Sequence, residues 1–254
     1  MSPPLPMRRR RHRRSPVAAI VVVGVILIFG ALAASRNLAG FGTDSAFDPP
    51  GSSRTVAAPT APVAVATAPV AAAAARAALA GLETKPWASA AGYDRVGDFG
   101  DAWDDVDRNG CDTRNDILAR DLQGIRRAAN CKVLSGTLVS PYSGARVDFV
   151  KGERTSELVQ IDHVVALADS WRTGAQQLSR AQRILLANDP LELLAVDGAS
   201  NDRKGSQDAA YWLPESTGYH CAYVTRQIQV KAKYHLWVTG SERAAMARVL
   251  ASCP

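Results

Sequence analysis

Two short apolar runs limit what this chain can fold into. Val159-Gln160-Ile161-Asp162-His163-Val164-Val165 reads as a buried strand that ends on an acid–histidine pair. About thirty residues later, Leu191-Glu192-Leu193-Leu194-Ala195-Val196 reads as a second apolar strand, turned by Asp197-Gly198 into a polar segment that opens on Asn201. Runs this short, bounded by turn signals, have the length of strands rather than helices. The pattern is strand, loop, strand, helix, with an acid and a histidine closing the first strand and an asparagine near the helix start.

The N-terminal part of the chain is of another kind. Residues 17–34 form an uncharged apolar run. At 1.5 Å per residue a helix of this length spans roughly 27 Å, enough to cross a bilayer core. Arg8, Arg9, Arg10, Arg11, Arg13 and Arg14 precede it, so residues 1–16 are expected to stay cytoplasmic while the rest is exported. Ala31-Leu32-Ala33 offers a cleavage site, and the run is also long enough to remain as a single-pass anchor, so the chain is either secreted or membrane-anchored. Residues 35–76, rich in Ala and Pro, read as a tether, with a helix expected over Ala71 to Leu82.

Charge excludes one simple reading. The chain of 254 residues carries a formal +6, but without the six leading arginines it holds 24 basic and 24 acidic side chains. Attraction to a polyanion must then come from a local patch and not from the global field.

From residue 77 to 254 the composition is globular: all five Trp, all six Tyr and all four Cys lie there. An even cysteine count in an exported domain suggests disulfides, paired locally as Cys111–Cys131 and Cys221–Cys253. The rival reading, a zinc site, lacks ligand spacing. Thr113 with Asp116 reads as a helix cap, with Ile117, Leu118, Leu122 and Ile125 on one stripe. Residues 131–139 and 145–150 read as a small hairpin about the turn Ser140-Pro141-Tyr142-Ser143-Gly144. Helices are expected over Ala166 to Arg172, capped by Gly174; from Ser179 to Ala187; from Asp208 through Trp212; over Ala222 to Leu236; and from Thr239, with Glu242 completing a capping box, to Cys253. The class is α+β.

An Asp-His pair and an asparagine across two strands and a helix suit phosphodiester hydrolysis. That reaction needs a base for water and a cation for the phosphate, with both held in line. Imidazole serves the first need near neutral pH. A carboxylate and an amide oxygen suit a hard cation that keeps several waters.

At this level of detail the chain resembles the HNH (ββα-metal finger) endonucleases. The closest group is the exported bacterial HNH proteins similar to the C-terminal domain of GmrSD-type restriction endonucleases. Gln160 to Leu167, Asn188 to Leu191, Leu194 to Gly198, Asn201 with Lys204-Gly205, and Trp212-Leu213-Pro214 carry the likeness, with Arg108 to Asp116 as its opening motif. The resemblance implies a ββα-metal core with surrounding helices, acting on DNA or RNA. It implies His163 as general base and Asp162 and Asn201 as ligands of a divalent ion, Mg²⁺ or Mn²⁺. Lys204 and Arg203 are expected at substrate phosphates. Asn201 could instead serve only as a helix cap.

The chain departs from the pattern at Glu192, where the family's middle asparagine would stand. A carboxylate accepts the hydrogen bonds that hold the two-strand loop but, when ionised, cannot donate them. Glu192 could also face the metal. The alternative reading is therefore a catalytically silent cell-surface binding module with the same fold.

Overall fold

The computed structural model describes residues 68–153 and 155–254. The basic segment 1–16, the apolar run 17–34 and residues 35–67 of the expected tether lie outside them. Among the described residues no helix is long and apolar enough to cross a membrane.

The centre is an antiparallel pair, β4 (Val159–His163) and β5 (Leu193–Asp197), followed directly by helix α6 (Gly198–Lys204). Register pairs Ile161 with Ala195, Asp162 with Leu194 and His163 with Leu193. Every residue of β5 is buried, which explains its unbroken apolar run. The hairpin separates two cores. Val159, Ile161, Leu193 and Ala195 pack on one side, against Ile117, Leu118, Leu138 and Phe149. Leu194 and Val196 pack on the other, among the helices. Side chains alternate along a strand, so this division follows from the sequence register.

The first core is closed by α3 (Thr113–Asp121) and a three-stranded sheet, β1 (Gln123–Arg127), β2 (Val133–Val139) and β3 (Arg146–Val150), in that spatial order. The expected hairpin is β2–β3. Strand β1 escapes a sequence reading because Gln-Gly-Ile-Arg-Arg neither alternates nor is apolar; Ile125, placed on the helical stripe by its spacing, lies in it. The cap of α3 is Asp112, not Thr113. Asp112 accepts the Asn115 N–H at 2.9 Å, while the Thr113 hydroxyl donates to the Asp104 carbonyl.

The second core holds α1 (Ala68–Gly81), α2 (Arg95–Phe99), α4 (Leu167–Arg172), α5 (Arg180–Ala187), α7 (His220–Lys233) and α8 (Gly240–Ala251). Ala72, Ala75 and Leu79 of α1 are buried in it, and Arg76 donates to the carbonyls of Leu250 and Cys253 at 2.6 and 3.0 Å. The folded body thus begins before residue 77, because small alanines at helical spacing let α1 pack closely. Capping boxes start α5 (Ser179, Gln182) and α8 (Thr239, Glu242). Residues 208–212 form a turn instead of a helix, with the Asp208 carbonyl taking the Tyr211 and Trp212 N–H groups at 3.1 and 3.0 Å. Thr173, one residue before Gly174, caps α4. Disulfides join Cys111 to Cys131 and Cys221 to Cys253.

Candidate active site

Helix α6 lies across the face of β4 that presents Gln160 and Asp162. Its N-cap is Asp197, which accepts the Ser200 N–H at 2.9 Å and the hydroxyls of Ser140 and Ser143 at 2.6 and 2.8 Å. Those bonds hold the Asp197 carboxyl below its usual range against the effect of burial. Because Asp197 does the capping, Asn201 falls one turn inside the helix and its amide is free for another use. It donates to Gln160 Oε1 at 2.7 Å, and Gln160 Nε2 in turn donates to Asp202 at 3.3 Å.

Asp162 is held from two sides. The Tyr142 hydroxyl donates to Oδ2 at 2.5 Å and the Lys204 ammonium to Oδ1 at 2.9 Å. Burial, then the charge of Asp162, pushes the Tyr142 hydroxyl well above its ordinary value, so it stays a donor. Lys204 also donates to the His163 carbonyl at 2.8 Å and is fully buried. Lys204, expected at a substrate phosphate, is spent in this fold on Asp162 and the His163 carbonyl and does not line the cleft described below. Arg203 is exposed on α6, near Ser200 and Glu215 at 3.0 and 3.6 Å, and does not line the cleft described next.

Asp162, His163 and Asn201 line one open cleft of about 420 Å³, together with Arg95, Tyr93 and Asp202. His163 ends β4, which is how neighbours of opposite strand phase reach a common space. Its Nε2 lies 2.9 Å from the Ala187 carbonyl. A carbonyl only accepts, so Nε2 carries the proton and Nδ1 holds the lone pair. Burial first, then the charges of Arg95 and Lys204, lowers the imidazole to about 3, against the Ala187 bond, which raises it. The ring is therefore neutral across physiological pH. Trp103 lies nearly parallel to it, at 16° and 6.2 Å between centroids.

Glu192 does not line the cleft. It is fully buried; Oε2 accepts the Val165 N–H at 3.3 Å and its carbonyl accepts the Val164 N–H at 2.9 Å. Its carboxyl thus pins the chain leaving β4 by accepting, a role open to glutamate as to asparagine. Burial, outweighing the nearby cations, raises it well above the ordinary value.

Arg95, Tyr142 and Trp103 were not legible as site residues. Arg95 sits on a five-residue helix about seventy positions before His163, and Tyr142 in a stretch that reads only as a turn.

Could these residues hold a metal? Among the described residues there is no cluster of three Asp, Glu, His or Cys side chains suited to one. The donors are one carboxylate and one amide oxygen on a shared cleft. That set fits a hard cation that retains most of its water, and not a tightly caged ion. Lys204 offsets much of the charge such an ion would meet at Asp162.

The family model for the C-terminal domain of GmrSD restriction endonucleases matches residues 112–249. The chain belongs to this family. The GmrSD C-terminal match takes in Asp162, His163, Glu192, Asn201 and Lys204, while Arg95 and Trp103 lie before it. An uncharacterized secreted protein of Arthroderma benhamiae is 34% identical over 204 residues, covering 80% of this chain and 96% of that relative. No solved structure matches the chain.

Proposed function

We propose that this GmrSD-family chain is a metal-dependent HNH-type endonuclease that hydrolyses DNA, and RNA where it meets it, outside the cytoplasm. The observation that carries the reading is the shared cleft of Asp162, His163 and Asn201, with the proton of His163 committed to Ala187. The Nδ1 lone pair of His163 takes a proton from attacking water, and the Ala187 carbonyl keeps the ring in the tautomer that can do so. Tyr142 and Lys204 fix the Asp162 carboxylate, and Gln160 fixes the Asn201 amide. Asp162 and Asn201 would hold Mg²⁺ or Mn²⁺, which supplies charge stabilisation at the phosphate and the leaving oxygen. Exposed Arg95, on the same cleft, takes the phosphate contact expected of Lys204. The two disulfides and the secreted relative support export, directed by residues 17–34.

The Lys204–Asp162 pair is what favours the alternative, a silent binding module, because it neutralises the only carboxylate among the expected ligands. Calorimetric titration with Mn²⁺ separates the two. A nuclease binds the ion weakly alone and at least tenfold more tightly with an uncleavable phosphorothioate oligonucleotide present, since the phosphate completes the donor set; Asn201→Ala removes that gain. A silent module binds the oligonucleotide with no dependence on the ion.

A further inference from the structure

We infer that a groove over Trp103 binds an unpaired base and its flanking phosphates, so that the substrate enters the cleft as a single strand. The inference rests on the nuclease reading above.

Neighbouring cavities share walls. The cleft shares Arg95, His163 and Leu167 with a small chamber of about 50 Å³. That chamber shares Ala102 and Trp103 with a groove of about 290 Å³. Trp103 thus walls both the histidine's chamber and the groove, with the imidazole centroid 6.2 Å and the Arg114 guanidinium 6.0 Å from its ring.

Trp103 packs against the edge of the first core with only part of its surface. It is half-buried, and its φ of +71° is a left-handed conformation that a bulky side chain rarely adopts. Its carbonyl accepts the Thr113 N–H at 3.4 Å, which ties this backbone to the start of α3. The fold thus holds a large aromatic ring at the wall of an open groove.

The groove is cationic where the domain as a whole is neutral. Arg114, Lys132 and Lys151 line it, and both lysines are exposed. Its one carboxylate, Asp112, is committed to capping α3 and to the Asn115 amide at 2.8 Å. Arg114 is held in place by the Val159 carbonyl at 3.0 Å. An aromatic platform flanked by cations is the chemistry that takes stacked bases with their backbone phosphates. A base can reach the indole only when it is out of a duplex.

The test is binding of a labelled single-stranded oligonucleotide to the full chain in EDTA, followed by anisotropy against salt. Each phosphate contact on a single strand contributes about 0.7 to the slope of log K against log salt. Lys132→Ser/Lys151→Ser should flatten that slope by about 1.4. A series of strands with one abasic position moved along them should show one position that weakens binding roughly tenfold in the natural chain, and this penalty should vanish in Trp103→Leu. An unchanged slope in the lysine variant, or an abasic penalty that survives Trp103→Leu, overturns the inference. So does duplex binding at least as tight as single-strand binding. The lysines are exposed, so their arm stands even if Trp103→Leu does not fold. Because the readout needs no cleavage, failure of hydrolysis would strike the nuclease reading and leave these outcomes legible.

Discussion

The Lys204 ammonium lies 2.9 Å from Asp162 Oδ1, with the two side chains 0% and 6% exposed. This pair ties the last residue of α6 to the penultimate residue of β4 and so fixes how the helix sits on the strands. Removing one partner of a buried pair leaves a charge without compensation. Lys204→Met should destabilise the fold by about 3–5 kcal/mol, whereas Arg203→Met, on the exposed neighbour, should cost under about 0.5 kcal/mol. Urea unfolding of both variants checks the contrast.

Glu192 makes stability depend on pH. Its folded value lies well above the ordinary 4.5, so above pH 4.5 the folded state binds more protons at this site than the unfolded state does. Its contribution is whole below 4.5 and is lost as pH rises through the folded value. Glu192→Gln keeps the acceptor for Val165 and removes the titration. The variant should gain on the natural chain as pH rises above 4.5, by up to about 1.4 kcal/mol per unit. Thermal unfolding at a series of pH values measures it; a constant offset would contradict it.

Gly198, the first residue of α6, has no room for a side chain. An added Cβ would stand 2.3 Å from the Glu157 carbonyl and 3.0 Å from Gln160 Nε2. Gly198→Ala should therefore cost about 1–3 kcal/mol and disturb the Gln160–Asn201 bond. Gly218→Ala, where a Cβ meets nothing within 4 Å, is the control. Denaturant midpoints of the two variants give the answer.

The disulfides close sequence separations of 20 and 32 residues. In the chain-entropy model each stabilises by about 3–4 kcal/mol. Cys221→Ser/Cys253→Ser, which frees the C-terminus from α7, should lower the unfolding free energy by that amount, read from urea titrations under oxidising conditions.

The hairpin β4–β5 and the helix after it were legible because burial on both faces writes an apolar run, and turn residues bound it. The pairing of the cysteines was legible from their separation. Burial of Lys204 was not: a lysine beside an arginine in a polar helix reads as a solvated charge, and only the carboxylate of Asp162, more than forty residues away, shows otherwise. Tyr142 and Arg95 were hidden for the same reason. Their places, Tyr142 on Asp162 and Arg95 on the cleft, are set by tertiary structure that no local pattern records. Glu192 was visible as an odd residue, but its solution, accepting from Val165, depends on where the chain turns after His163.

The most direct measurement is nicking of plasmid DNA by the full, oxidised chain with Mg²⁺ or Mn²⁺, with EDTA, and as His163→Ala. Metal-dependent nicking that stops in EDTA and falls at least about a hundredfold in the variant is the predicted result. A folded protein that cleaves neither DNA nor RNA with any divalent ion, or one whose cleavage survives His163→Ala, would contradict it.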